Sequence, residues 1–256
     1  MSAPDAPADA IAHFVAKWHR REPEMALAEV FCPPDLRPRF RAWGALVHEL
    51  REAAFELSDA RVTAVKCQWW AEELANLPQG AGRHPISAGL ALPHLAWTRL
   101  ARALIGQSLV DERPGDARAA LAHMQPLAAA LADIEAGVFG FDAPQEPTPL
   151  AVHFLLQRLP QGLVAQDQAR LPLNLLARHG RTVAQVAAGE GEALVRDWAA
   201  ELLAALPASK APAPLFRRLR TGFDRVRLAR LAAGRGFAPP AAPATVWRAW
   251  RIARNP

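Results

Sequence analysis

The sequence predicts an all-helical fold, and three observations carry that expectation. Ala, Leu, Arg and Glu, all good helix formers, dominate the composition. Tyr is absent and β-branched residues never run four in a row, so strand-favouring stretches are missing. Apolar residues recur at steps of three and four along most of the chain, the signature of one buried helix face. With 256 residues, 51% of them hydrophobic, there is enough apolar material for a sizeable core.

A first helix is expected from near Asp9, where Ile11, Phe14, Val15 and Trp18 share one face. Cys32-Pro33-Pro34-Asp35 reads as a break followed by a helix cap. A long helix follows, with Phe40, Trp43, Leu46, Val47, Leu50, Ala54 and Leu57 on its apolar stripe. Ser58-Asp59 ends it and caps the next, Val62 to Leu77, which carries Trp69 and Trp70 and stops at Pro78 before Gly80-Ala81-Gly82. His84-Pro85 opens a helical stretch through Leu92, broken by Pro93 before a helix from Leu95 to Ile105. Gly115-Asp116 leads into an Ala-rich helix, Ala117 to Phe141, bent near Pro126. After a Pro-rich loop from Asp142 to Pro149 come short helices at Leu150–Leu159 and Asn174–Arg178, then longer ones at Val183–Leu206 and Leu215–Ala233. A Pro/Ala spacer, Ala238 to Ala244, tethers a short Trp/Arg segment. Residues 1–237 thus form one helical domain and residues 238–256 a basic tail.

The first thirty residues hold no unbroken apolar run, and no stretch approaches the ~20 apolar residues of a membrane span. A soluble cytoplasmic protein, at most peripheral to the inner face of a membrane, is expected. Cys32 and Cys67 are too few and too far apart for a metal cluster or a disulfide scaffold. The net charge of +5 is uneven: residues 210–256 hold eleven Lys/Arg against one acid, Asp224, leaving a net −5 for residues 1–209.

Four stretches carry a likeness to a known family. "RAWGALVHELREAAFELSD" from Arg41 runs directly into "ARVTAVKCQWWAEEL"; "HPISAGL" begins at His84, and "RLPLNLLARHG" at Arg170. In order and separation they resemble the squalene/phytoene synthase family over roughly residues 11 to 237. The resemblance implies an isoprenoid synthase-like helical bundle around a central cavity. It also implies, for an active member, two Asp-rich motifs holding Mg²⁺ against substrate diphosphates, because hard oxygen ligands must neutralise the leaving group. In register, the first motif's acidic pair falls on Arg51 and Glu52 and its next acid on Phe55. The second motif's Arg falls on Arg158, and its acids on Leu159, Gly162 and Leu163. Asp167 is the one acid between Leu150 and Asn174. The chain is therefore identified as a degenerate member with neither motif intact and with no catalytic or metal-binding set. The matching analogy is a complex-I assembly factor that carries a degenerate phytoene-synthase domain.

His48 and Glu49 adjoin on one helix and Glu52 lies one turn beyond His48, a spacing that could seat a metal, but a polar rim on a surface helix is the favoured reading. Ser58, Ser87 and Ser108 lack a nucleophile elbow, and the Gly80–Gly82 loop lacks P-loop residues. Histidines 84, 94 and 179 sit at helix ends or loops. His48, Trp69 and Trp70 are the cavity candidates. In the basic region, Leu215, Leu219, Phe223 and Val226 form an apolar face beside Arg217, Arg218, Arg220, Arg225 and Arg227. That helix either docks on the body or lies on an anionic membrane. Trp247, Arg248, Trp250, Arg251 and Arg254 read as an interfacial anchor. No nucleic-acid-binding motif accompanies the charge. The expected role is interaction or assembly with a protein partner or membrane-bound complex. Isoprenoid-lipid binding in the cavity is a second expectation, and the alternative is a Mg²⁺-dependent head-to-head prenyl diphosphate synthase.

Overall fold

The computed structural model describes residues 6–164, 168–208 and 212–254. Among these residues the chain is all helix and turn, with no strand, as its composition demands. Helix α1 (Ala6–Arg21) starts earlier than expected and is followed at once by a short α2 (Pro23–Ala28) and a 3₁₀ turn, Glu29–Phe31, neither of which the sequence had suggested. Pro23 at the first helical position explains α2, since its fixed φ suits a helix start and it needs no donor there. The break at Cys32–Asp35 is present, but Leu36 rather than Asp35 precedes α3 (Arg37–Phe55), and no side chain caps it.

The expected stripe of α3 is buried from Phe40 to Leu50, and Glu49 and Arg51 are buried with it. Asp59 caps α4 (Ala60–Asn76) by accepting from the Arg61 and Val62 amides. The His84–Leu92 stretch forms only a 3₁₀ turn, Ser87–Leu90, because Pro85, Gly89 and Pro93 leave too few residues for a helix nucleus. Helix α5 (Trp97–Ser108) begins after it. Asp116 caps α6 (Ala117–Val138), with Pro126 inside it, and α7 (Thr148–Gly162) is longer than expected at both ends. Helix α8 (Leu173–His179) ends at Gly180.

The expected continuous helix from Val183 to Leu206 is divided. A single turn α9 (Val183–Gln185) runs into a π-helical turn, Val186–Glu190, and Gly189 at φ 93° separates it from α10 (Glu192–Ala205). Gly reaches this left-handed backbone without the Cβ penalty of other residues. Helix α11 (Leu215–Ala232) packs on α10 and α7. The tail is a thirteen-residue helix, α12 (Ala242–Arg254), lying on α2 and α11.

Around α3 the helices α1, α4, α5 and α6 assemble, and α7 packs on α6, α10 and α11. Every residue of α7 from Pro149 to Leu159 is buried. Trp18, Phe40, Phe139 and Phe216 fill the interior between α1, α3 and α11. No helix among the described residues is long and apolar enough to cross a membrane.

Candidate functional site

Two places meet where the sequence located chemistry: a buried set of charges at the level of Arg51, and an open cleft between Phe55 and Arg158. Arg51 is 1% exposed, with its guanidinium 3.2 Å from Glu56, 3.8 Å from Glu22 and 3.0 Å from His48 Nδ1. Glu22, at the junction of α1 and α2, also faces Arg220 at 3.6 Å and His153 at 3.7 Å. Burial would raise the Glu22 pKa, but His153, Arg220 and Arg51 around it hold it below the ordinary carboxylate value. His153 Nδ1 lies 2.9 Å from Asp224 on α11. Desolvation drives His153 well below 6.5, and it pushes Asp224 up to about 7.

The network continues through α6. Glu135 is 0% exposed and accepts from Arg217 Nε at 2.6 Å and Trp43 Nε1 at 2.7 Å. Glu24 takes Arg227 with both oxygens, at 2.6 and 2.5 Å. Carboxylates and guanidiniums from α2, α3, α6 and α11 therefore meet in the interior, with the His153 imidazole of α7 among them. Arg217, expected on a membrane- or partner-facing side, is locked in this network. The buried apolar arc of α11 is Phe216, Leu219, Phe223, Leu228 and Leu231, with Leu215 and Val226 only half-buried at its edges.

Beside Arg51, the His48, Glu49 and Glu52 ligand atoms lie within 4.8 Å of one another. Their centre is served by Lys17 Nζ, 2.8 Å from Glu49 and 2.5 Å from Glu52, with Lys66 at 3.1 Å from Glu52. Burial alone would lower the Lys17 pKa, but its hydrogen bonds to both carboxylates raise it, so the ammonium is a fixed charge. Burial, then Arg51 and Lys17, push His48 down to about 3. His48 is thus a neutral ring held in an ion-paired rim.

The cleft has a volume of about 340 Å³ and lies between the ends of α3, α4, α5, α6 and α7. Phe55 forms part of its wall, tilted against Phe154 at 5.6 Å, with the Arg158 guanidinium 5.0 Å above the Phe55 ring. Arg158 is held by two hydrogen bonds to the Gln168 carbonyl, at 3.1 and 2.9 Å, and no carboxylate pairs with it among the described residues. Desolvation, then the charge of Arg170, lowers its pKa to about 9, which still leaves it protonated at neutral pH. Arg170 itself bonds Asp111. His123 and Ser108 also line the cleft, but among the described residues no hydrogen bond joins them into a nucleophile–base pair. The neighbouring Cys67 thiol is raised to about 11 by burial, so it stays protonated and unreactive.

The remaining positions distribute as follows. Leu159 is in the core, Leu163 is half-buried in the turn after α7, and Gly162 packs against the backbone of Ala169, where an added Cβ would meet the amide nitrogen at 2.5 Å. Asp167 lies outside the described residues. Trp69 and Trp70, expected at a cavity, are not part of the cleft wall. They pack edge to face at 5.0 Å and close on His84 with Phe14, because α4 turns Ala60 and Thr63, not the Trp pair, toward the opening. His48 likewise belongs to the charged rim rather than to the cleft. Arg218 donates to the Ile252 carbonyl at 2.9 Å and so anchors α12, while Trp247, Arg248 and Arg251 remain exposed and Trp250 is half-buried. Glu22, Glu135, Asp224 and His153 escaped sequence reasoning. Glu135 carried a signal, since of the two acids in the Ala/Leu-rich α6 it is the one at helical spacing from Leu131 and Val138. A scan of protein-family models and a search of curated proteins both return no match for the chain.

Proposed function

We propose that this chain is a non-catalytic protein with the squalene/phytoene synthase-like architecture, acting in interaction or assembly with a protein partner or membrane-bound complex at the cytoplasmic face of a membrane. One observation carries the reading: the leading metal-ligand position of the first motif is Arg51, buried and committed to Glu22 and Glu56. A cation there repels Mg²⁺, and Phe55, one turn on, fills the next ligand position with a ring. Glu52, the surviving acid, is neutralised by Lys17 and Lys66. The donors present therefore do not fit a Mg²⁺–diphosphate centre, and the cleft, at the lower end of ligand-site volumes, has room for one small ligand rather than two prenyl chains.

The test is incubation of purified protein with farnesyl or geranylgeranyl diphosphate and Mg²⁺, following diphosphate release and thermal shift. No release and no Mg²⁺-dependent stabilisation are expected; release would overturn the reading in favour of the prenyl diphosphate synthase. A second reading, binding of a single isoprenoid or other anionic lipid in the cleft, is favoured by Arg158, a buried cation with no acid partner among the described residues. It predicts stabilisation by farnesyl diphosphate without Mg²⁺, abolished in Arg158→Gln.

A further inference from the structure

The tail helix does more than extend the chain. Thr245 and Ala249 are buried against the body, and Ile252 closes on Gly222 of α11. This seating turns Trp247 outward, 59% exposed, with its ring stacked on Trp250 at 4.7 Å and 26°, and Arg254 lies over Trp250 at 4.8 Å. Helix α12 rests on α2 and on the following 3₁₀ turn, which present Leu27 at 37% and Val30 at 61% exposure. The acids of those two elements point the other way: Glu24 is clamped by Arg227, and Glu29 by Arg41 at 2.5 Å. From Arg225 to Arg254 the sequence has no Asp or Glu, while Arg225, Arg235, Arg248, Arg251 and Arg254 are all exposed.

We propose that the surface formed by α12, α2 and the 3₁₀ turn between Glu29 and Phe31 binds an anionic phospholipid bilayer. The proposal rests on the non-catalytic, membrane-associated reading above and names the chemistry of that membrane contact. Trp247, Leu27 and Val30 supply apolar tips that enter the headgroup boundary, and the guanidiniums pair with lipid phosphates. Charge complementarity selects an anionic surface, since α12 exposes the guanidiniums of Arg248, Arg251 and Arg254 and none of the three elements exposes a carboxylate. The aliphatic tips select lipid over nucleic acid, whose bases favour aromatic platforms and gain little from Leu or Val.

The experiment is co-sedimentation of the full chain with vesicles of phosphatidylcholine alone and of phosphatidylcholine mixed with phosphatidylglycerol. Binding to the mixed vesicles is expected, with little to the neutral ones and loss in ~1 M salt, where the screening length falls to ~3 Å. Arg248→Glu with Arg251→Glu weakens binding by about 25-fold or more, at roughly fivefold per basic residue removed. Val30→Asp, more than two hundred residues from the tail in sequence, weakens it about tenfold as well, because a charge replaces an apolar tip. All three positions are exposed, so circular dichroism stays unchanged and the loss is not unfolding. Equal binding to neutral vesicles, insensitivity to Val30→Asp, or retention on RNA with none on vesicles overturns the proposal. Catalytic silence without vesicle binding overturns this surface alone, whereas diphosphate release removes the reading on which it stands.

Discussion

Replacing Arg51 tests whether charge pairing holds the interior together. Arg51→Met keeps most of the side-chain volume but removes a cation 3.2 Å from Glu56 and 3.8 Å from Glu22. Breaking a buried pair from one side costs about 3–5 kcal/mol, because the remaining charge stays desolvated. Glu22 retains Arg220 at 3.6 Å and Glu56 retains Arg21 at 3.5 Å, which places the loss at the lower end, about 3 kcal/mol. At roughly 2–4 °C per kcal/mol for a chain of this size, Tm falls by about 6–12 °C. Urea unfolding followed by helical circular dichroism reads the same loss as a lower midpoint with unchanged slope. Adding Glu22→Gln removes the orphaned charge, so the double variant recovers at least half of the loss, a coupling above about 1 kcal/mol. Should Arg51→Met be neutral, or the coupling fall under about 0.5 kcal/mol, the charges are not mutually stabilising and the reasoning fails.

Glu135→Ala strands Arg217 and Arg220 and is expected to destabilise by about 3–5 kcal/mol, with Glu135→Gln milder because it keeps an acceptor for Trp43, as chemical denaturation of both variants will show. Burial raises the folded pKa of Asp224 from 3.8 to about 7, so this group opposes folding progressively as pH rises from 4 through 7. Asp224→Asn should therefore gain Tm over the parent at pH 8 and match it near pH 4. His153 acts in the opposite sense: its folded value is well below 6.5, so stability is lost as pH falls below 6.5, a limb of the Tm–pH curve that Asp224→Asn leaves in place. Gly162→Asp, which would restore an acid of the second motif, drives a Cβ to 2.5 Å from the Ala169 amide and should lower Tm without conferring Mg²⁺-dependent stabilisation.

The helices were legible wherever one apolar stripe and one cap coincided. Periodicity located α3 and α6, and Asp59 and Asp116 marked two helix starts through their free amides. Short elements are not legible: α2 and its 3₁₀ turn are too brief to show a period, and nothing in the spacing from Val183 to Leu206 sets the break at Gly189 apart from a glycine inside one helix. The charged interior was hidden for a different reason. A side chain such as Arg220 or Glu22 reads as solvated until its partners are known, and here the partners are separated by most of the chain. The same blindness assigned Arg217 to a binding face and the Trp69–Trp70 pair to a cavity, since a one-dimensional pattern gives a helix face but not the neighbour it meets.

The buried network also bears on how the protein responds to temperature. Hydration of charged groups becomes less favourable on warming, so the penalty for keeping Glu22, Glu135, Arg51 and Arg220 away from water shrinks as temperature rises. Burial of the aliphatic and aromatic core weakens on cooling. Both contributions therefore decline in the same direction, toward the cold, and the stability maximum lies at a higher temperature than in a helical chain of equal size with a purely apolar interior. Cooling therefore weakens this interior more than it weakens an apolar interior of the same size.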